Sequence, residues 1–228
     1  KRLFLDAGGA RPRGAILYYD LPEGAKDVSL SVLEADGDVI RTYEGDALSR
    51  APGLNRMVWD MTYPDVLPVP GKPPAGVKVE AKPGTYGVRL SVDGVTQEQS
   101  FELRMNPNER WTQADADARF DLWWRLRSIF ERSNQEITAA METAQKAGED
   151  SEIAKRAYEF AGKLVPQGAT LSEIANEPPK MLSKLTTVSS MLFHSEGPPT
   201  QSAYEVVDQM EKLIDAEIEA WKEFKSQN

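Results

Sequence analysis

A change of hydrophobic period near residue 110 constrains this chain more than any other feature. Before it, apolar and polar residues alternate over short runs; after it, apolar residues recur every three or four positions over long ones. The first period belongs to strands with one buried face and the second to helices packed along a seam. Asn106-Pro107-Asn108 closes the first regime and Thr112 opens the second.

In the first half, Ala15-Ile16-Leu17-Tyr18-Tyr19 is an apolar and aromatic run ended by Pro22 and Gly24. Val28, Leu30 and Val32 alternate with polar residues and share one face. Asp36-Gly37 separates this run from Val39–Tyr43, and Asp93-Gly94 separates Tyr86–Val92 from Val95–Arg104. Asp-Gly pairs between β-rich runs predict tight hairpins, because the turn needs positive φ. Gly53–Trp59 completes a set of six or seven short strands, the pattern of a β-sandwich of immunoglobulin or fibronectin type III kind. Trp59 is the expected core plug between sheets. Asp60, facing the other way, is expected as a turn or edge hydrogen-bond acceptor. Pro64, Pro68, Pro70, Pro73, Pro74 and Pro83 are six prolines in one stretch, which exclude a central strand. That long loop reads as a stiff surface excursion or a partner contact.

In the second half, Thr112-Gln113-Ala114-Asp115 is an N-cap with an acid three residues on. Trp123, Leu126, Phe130, Ser133, Ile137, Ala140 and Ala144 then form the seam of one long helix from Thr112 to Lys146, ended by Gly148. Ile153, Ala157, Phe160 and Leu164 mark a second helix, and Thr170-Leu171-Ser172-Glu173 a capping box for a short one. Leu182, Leu185, Val188 and Leu192 mark a third stripe; Val207, Met210, Ile214, Ile218 and Trp221 mark the last. The expected architecture is α+β in two domains: an immunoglobulin-like β-sandwich over 1–108, then an up-and-down bundle of three to four helices over 109–228.

Composition removes several chemistries. With no cysteine there is no disulfide, thiolate zinc site or cysteine nucleophile, and with His194 alone there is no multi-histidine zinc or di-iron site. The net charge is −9; residues 1–110 carry 14 basic and 16 acidic groups, and residues 111–228 carry 13 and 20. An acidic helical half argues against nucleic acid and anionic membrane surfaces. No apolar run approaches the roughly 18 residues of a membrane helix. The chain opens on Lys1, so it is expected to be a fragment or processed product, and a missing leader says little about location.

Asp117 with Asp121, and Glu211 with Asp215 and Glu219, lie on common helix faces, where carboxylates are usually solvated rather than catalytic. Trp123 and Trp221 fall on seams. Trp111 and Trp124 are read as glue between the two halves or as a sugar-stacking platform. Asp36-Gly37-Asp38 is too short for a calcium loop. No phosphate loop, Gly-x-Ser-x-Gly or His-Glu-x-x-His occurs. No catalytic, cofactor-binding or metal-ligating residue is therefore assigned, and no cofactor is expected.

Four groups of residues carry a resemblance. They are Gly14 with Tyr18-Tyr19, Asp36-Gly37 with Arg41, Gly53-x-Asn55-x-x-x-Trp59-Asp60-x-x-Tyr63-Pro64, and Pro83-Gly84-Thr85-Tyr86-x-Val88-x-Leu90. Over about Gly14 to Phe224 the chain resembles the C-terminal region of bacterial proteins with an N-terminal sortilin-like, BNR-repeat β-propeller, often labelled glycosyl hydrolase or sialidase-like. Its β half is similar to the immunoglobulin-like domain of flagellar hook-capping proteins. Phe120 onward, with Pro199-Thr200 before the last helix, is similar to the propeller family's helical tail. The resemblance implies a secreted or periplasmic protein and a propeller in the same parent chain as partner. It carries no catalytic residue over, since no Ser-x-Asp-x-Gly-x-Thr-Trp box occurs. The expected role is a non-catalytic accessory module that positions the propeller or contacts a protein or glycan. The alternatives are a carbohydrate-binding module, using the Pro64–Pro83 loop or Trp111 and Trp124, and an oligomerisation domain.

Overall fold

The structure, a computed structural model, describes residues 14–74, 77–105, 111–166, 177–195 and 197–227. Among these, six strands, with a 3-10 turn at Gly45–Ala47 between the third and fourth, precede four α-helices. The chain divides into two compact units: Lys1–Pro64 with Glu80–Pro107, and Asp65–Val79 with Asn108–Asn228. Residues 65–79, inside the stretch read as β, therefore group with the helices.

The first unit holds β1 (Ala15–Leu21), β2 (Val28–Leu33), β3 (Val39–Glu44), β4 (Gly53–Trp59), β5 (Gly84–Val92) and β6 (Val95–Leu103). All pairs are antiparallel: β1 with β4 in one sheet, and β3-β2-β5-β6 in the other. Period-2 alternation sets the faces. Val28, Leu30 and Val32 are buried on one sheet, and Leu17, Tyr19, Leu21 and Met57 on the other. Both Asp-Gly hairpins form. Gly37 and Gly94 take φ of 98° and 85°, and Asp93 itself sits at φ 48°. Val92 pairs directly with Val95 across that two-residue turn. Asp93 Oδ1 also accepts the amides of Lys26 and Asp27, at 3.1 and 2.9 Å, tying this turn to the entry of β2.

Trp59 is fully buried. Its ring meets Tyr86 edge-on at 5.4 Å and Phe101 at 6.2 Å, so it joins the two sheets as expected of a core plug. Its Nε1 donates to the Thr62 carbonyl at 3.3 Å, which satisfies the indole's polar atom. Asp60 is the expected turn acceptor, receiving the Thr62 amide at 3.2 Å. Gly14 has φ 144°, and a Cβ there would lie 2.2 Å from the Trp59 carbonyl oxygen. The backbone at the start of β1 thus approaches the end of β4 too closely for any side chain.

The second unit contains α1 (Gln113–Ala147), α2 (Glu152–Leu164), α3 (Met181–His194) and α4 (Gln201–Gln227). Thr112 caps α1 through a reciprocal box: the Asp115 amide donates to Thr112 Oγ1 at 3.3 Å, and the Thr112 amide to Asp115 Oδ2 at 2.8 Å. The Thr112 amide, together with its hydroxyl, donates to the Asp115 carboxylate and holds that carboxyl below its usual range. All seven seam residues of α1 are buried, as are the predicted stripes of α3 and α4. On α2 the buried set is Ala154, Ala157, Phe160, Ala161 and Leu164, with Ile153 only partly covered. α1 packs against α2, α3 and α4. No described helix is long and apolar enough to cross a membrane. The capping box at 170–173 lies outside the described residues.

Candidate functional site: a cavity walled by the proline-rich segment

The stretch between β4 and β5 is only in part a surface excursion: Asp65, Leu67, Pro68 and Pro70 are exposed, but its valines turn inward. Val66, Val69, Val77 and Val79 are all buried, and they belong to the helical unit. Proline removes backbone donors and stiffens the chain, so this segment cannot join a sheet ladder. It can still lay apolar side chains on helices if its remaining polar groups find partners. Asn134 of α1 supplies one such partner, donating from Nδ2 to the Leu67 carbonyl at 2.8 Å. A turn supplies another: the Lys72 amide donates to the Val69 carbonyl at 3.0 Å, with Gly71 at φ 76°.

This arrangement leaves a cavity of about 310 Å³. One wall is Pro68, Val69, Lys72, Pro73 and Pro74; the facing wall comes from α1, the end of α2 and the first turns of α3. Phe130, Leu182 and Val165 give that second wall its apolar surface, and Asn134, Ser183 and Thr186 its polar atoms. Thr186 Oγ1 already donates to the Leu182 carbonyl at 3.1 Å. Asn134 is only 7% exposed, so its amide is a buried polar group beside an apolar void. The arrangement can hold a small, largely apolar group and orient it through one or two hydrogen bonds.

The acidic rows on the helices do something else. Arg125 and Arg132 of α1 reach α4, where Arg125 pairs with Asp208 at 2.6 Å and with Glu211. Arg132 pairs with Glu211 at 2.8 Å and with Asp215 at 2.9 Å. Burial by itself would raise the Glu211 carboxyl, but hydrogen bonds from Arg125 and Arg132 outweigh it and hold it below the usual range. Lys222 pairs with Glu136 at 3.2 Å and Glu219 at 3.5 Å, and Lys163 with Glu217 at 3.0 Å. Glu211, Asp215 and Glu219 are thus bound into ion pairs. Asp117 accepts from Gln113 at 3.3 Å, and Asp121 is exposed beside it on α1. His194 is exposed at the end of α3, edge-on to Phe193 at 5.2 Å. Among the described residues no group of three His, Cys, Asp or Glu could hold a metal ion.

The tryptophans divide by environment. Trp123 and Trp221 are core residues, as their seam positions predict; Trp221 stacks on Phe160 at 5.8 Å and 12°. Trp124 is 42% exposed and stacks on Phe120 at 5.6 Å and 18°. Trp111 lies over Arg119, whose guanidinium sits between the rings of Trp111 and Trp123 at 4.6 and 4.5 Å. Arg119 is 5% exposed and donates to the Ser195 carbonyl at 3.3 Å. Sequence reasoning missed this buried cation. Its signal was position: Arg119 lies four residues before Trp123, in phase with the α1 seam.

In the β unit, burial and the nearby Glu34 carboxylate push the Tyr86 hydroxyl up to about 12. The same two causes raise Tyr63, whose hydroxyl donates to Glu34. Tyr86 donates instead to the Lys82 carbonyl at 2.8 Å. Both phenols therefore stay protonated donors at neutral pH.

No family model, curated protein or solved structure matches the chain.

Proposed function

We propose that this chain is a non-catalytic accessory module that binds a partner on behalf of a larger exported β-propeller protein, with the propeller in the same parent chain. The observation that carries the reading is the packing of residues 65–79. The one long detour out of the sheet is used to build a cavity wall on the helices rather than to present reactive groups. The interhelical ion pairs support it, because Glu211 and Asp215 are engaged in holding α4 to α1. An immunoglobulin or fibronectin type III reading of the β unit is supported by strand order. On that reading β1 and β4 correspond to strands B and E, and β3-β2-β5-β6 to C′, C, F and G. The helices are read as an up-and-down bundle.

Assays of the isolated chain on glycoside and peptide substrates test the proposal. The expected rate is that of buffer alone, and turnover by the wild-type chain that tracks its concentration would refute it.

Trp124 favours a second reading as a glycan-binding module: its ring is 42% exposed and held by Phe120 and by the Arg127 guanidinium at 5.7 Å, an aromatic surface edged by a donor of the kind sugars use. A glycan array on the wild-type chain and Trp124→Ala decides it: this reading requires hits that the variant loses.

A further inference from the structure

The cavity under the proline-rich segment has a size, a lining and a largely buried amide whose oxygen accepts no hydrogen bond from the described residues, and together these specify a ligand. An engineered apolar cavity of roughly 150 Å³ holds one benzene molecule. At about 310 Å³ this one has room for two fused rings. Its lining includes Pro68, Pro73, Pro74 and Phe130, whose flat apolar surfaces suit a planar molecule. Among the described lining residues only Lys72 is charged, and the rest of that lining is apolar or neutral. A charged ligand would give up hydration for a mostly apolar wall, which disfavours it.

Asn134 supplies the orienting contact. Its Nδ2 is committed to the Leu67 carbonyl at 2.8 Å. Its Oδ1 accepts no hydrogen bond from the described residues, and it is not among the atoms sealed from solvent. An amide oxygen at the cavity with no donor from the described residues keeps acceptor capacity for a ligand O–H or N–H. Because Nδ2 is held by the backbone of the facing wall, the amide cannot flip without losing that bond, so Oδ1 remains an acceptor. Ser183 Oγ, which also has no partner among the described residues, lies in the same lining and is half-buried.

We infer that the cavity binds a free, uncharged two-ring aromatic molecule bearing one O–H or N–H group, which donates to Asn134 Oδ1. The inference rests on reading the chain as a binding module and names what that module takes.

The test is calorimetric titration of the whole chain with 2-naphthol and with 2-methoxynaphthalene, which has the same rings and no donor. Saturable one-to-one binding of 2-naphthol is expected, with the methoxy compound weaker by about tenfold, the value of one hydrogen bond. Absence of 2-naphthol binding would overturn the site. Equal affinity for the two compounds would overturn the role of Asn134. Ser183→Trp, which fills the void from a half-buried position on α3, should abolish binding while leaving the helical circular dichroism unchanged. If that variant does not fold, Thr186→Phe is read in the same way. Undiminished binding by a folded, filled variant places the ligand elsewhere and defeats the inference. Hydrolytic turnover by the chain would defeat the non-catalytic reading without altering these titrations, so the two failures are separable.

Discussion

The β unit and the helical unit solve the same problem with different polar chemistry. In the β unit, side chains stitch loops to backbone. Tyr19 donates to the Ser49 carbonyl at 2.8 Å, Asn55 donates to the Ala51 and Gly53 carbonyls, and Asp93 accepts two amides. In the helical unit, charged side chains bridge whole elements, as Arg125 and Arg132 do between α1 and α4. Sheets already satisfy their backbone within the ladder, so their weak points are turns. Helices satisfy theirs internally, so their weak points are the relative positions of neighbours. The lesson is that acid and salt should act first on the helical unit, and local turn chemistry on the β unit.

The most damaging test of that contrast is Trp59→Ala. It removes the ring that joins the two sheets and should cost about 3–5 kcal/mol in the β unit. Hydrogen exchange followed by mass spectrometry should show the loss in β1–β6, with α1–α4 less affected. Gly14→Ala comes next. A Cβ driven against the Trp59 carbonyl at φ 144° should cost about 2–3 kcal/mol, read from urea denaturation of the same segments. A smaller effect, about 2 kcal/mol, is expected for Val79→Ala, from the buried methyl groups removed and the void left. Its value lies in location: faster exchange should appear in α1–α4. Exchange confined to β4 and β5 would break the assignment of residues 65–79 to the helical unit.

Glu211→Gln sharpens the electrostatic half of the comparison. The Glu211 carboxyl is depressed in the folded chain, so its contribution is present above the unfolded value near 4.5 and is lost as pH falls through the lower folded value. Thermal unfolding of the wild-type helical unit should therefore weaken below about pH 4.5. In Glu211→Gln that part of the acid sensitivity should disappear, with about 1 kcal/mol lost at neutral pH after allowing for solvent screening. An unchanged acid profile would contradict the proposed role of the Arg125–Glu211–Arg132 network. A change of the same size but confined to one helix end is expected for Thr112→Ala, about 1 kcal/mol through loss of the α1 cap, seen as fraying of the first turn by hydrogen exchange.

Much of the fold was legible from residue order. The α1 seam from Trp123 to Ala144, the Thr112 cap and both Asp-Gly hairpins appear where spacing and turn chemistry place them. These are local rules, in which each residue's neighbours in sequence are also its neighbours in space. The proline-rich segment was not legible, because the same prolines that exclude it from a sheet also make it look like a surface loop. Val66, Val69, Val77 and Val79 were the available clue, but their spacing matches neither a helix nor a strand. Arg119 was hidden by its charge, since burial of a guanidinium between two indole rings depends on ring positions that spacing along the chain does not specify.

The sequence by itself determined the handover from strands to helices, the faces they bury and the chemistries that missing cysteine and a single histidine exclude. The tertiary structure alone decided that residues 65–79 leave the sheet to wall a cavity on the helices. The reason is physical: periodicity encodes which face an element hides, whereas an aperiodic proline segment is placed only by the surface that accepts its side chains. Here that surface is built by α1, α2 and α3 from residues more than fifty positions away, and the Asn134–Leu67 hydrogen bond spans 67 positions.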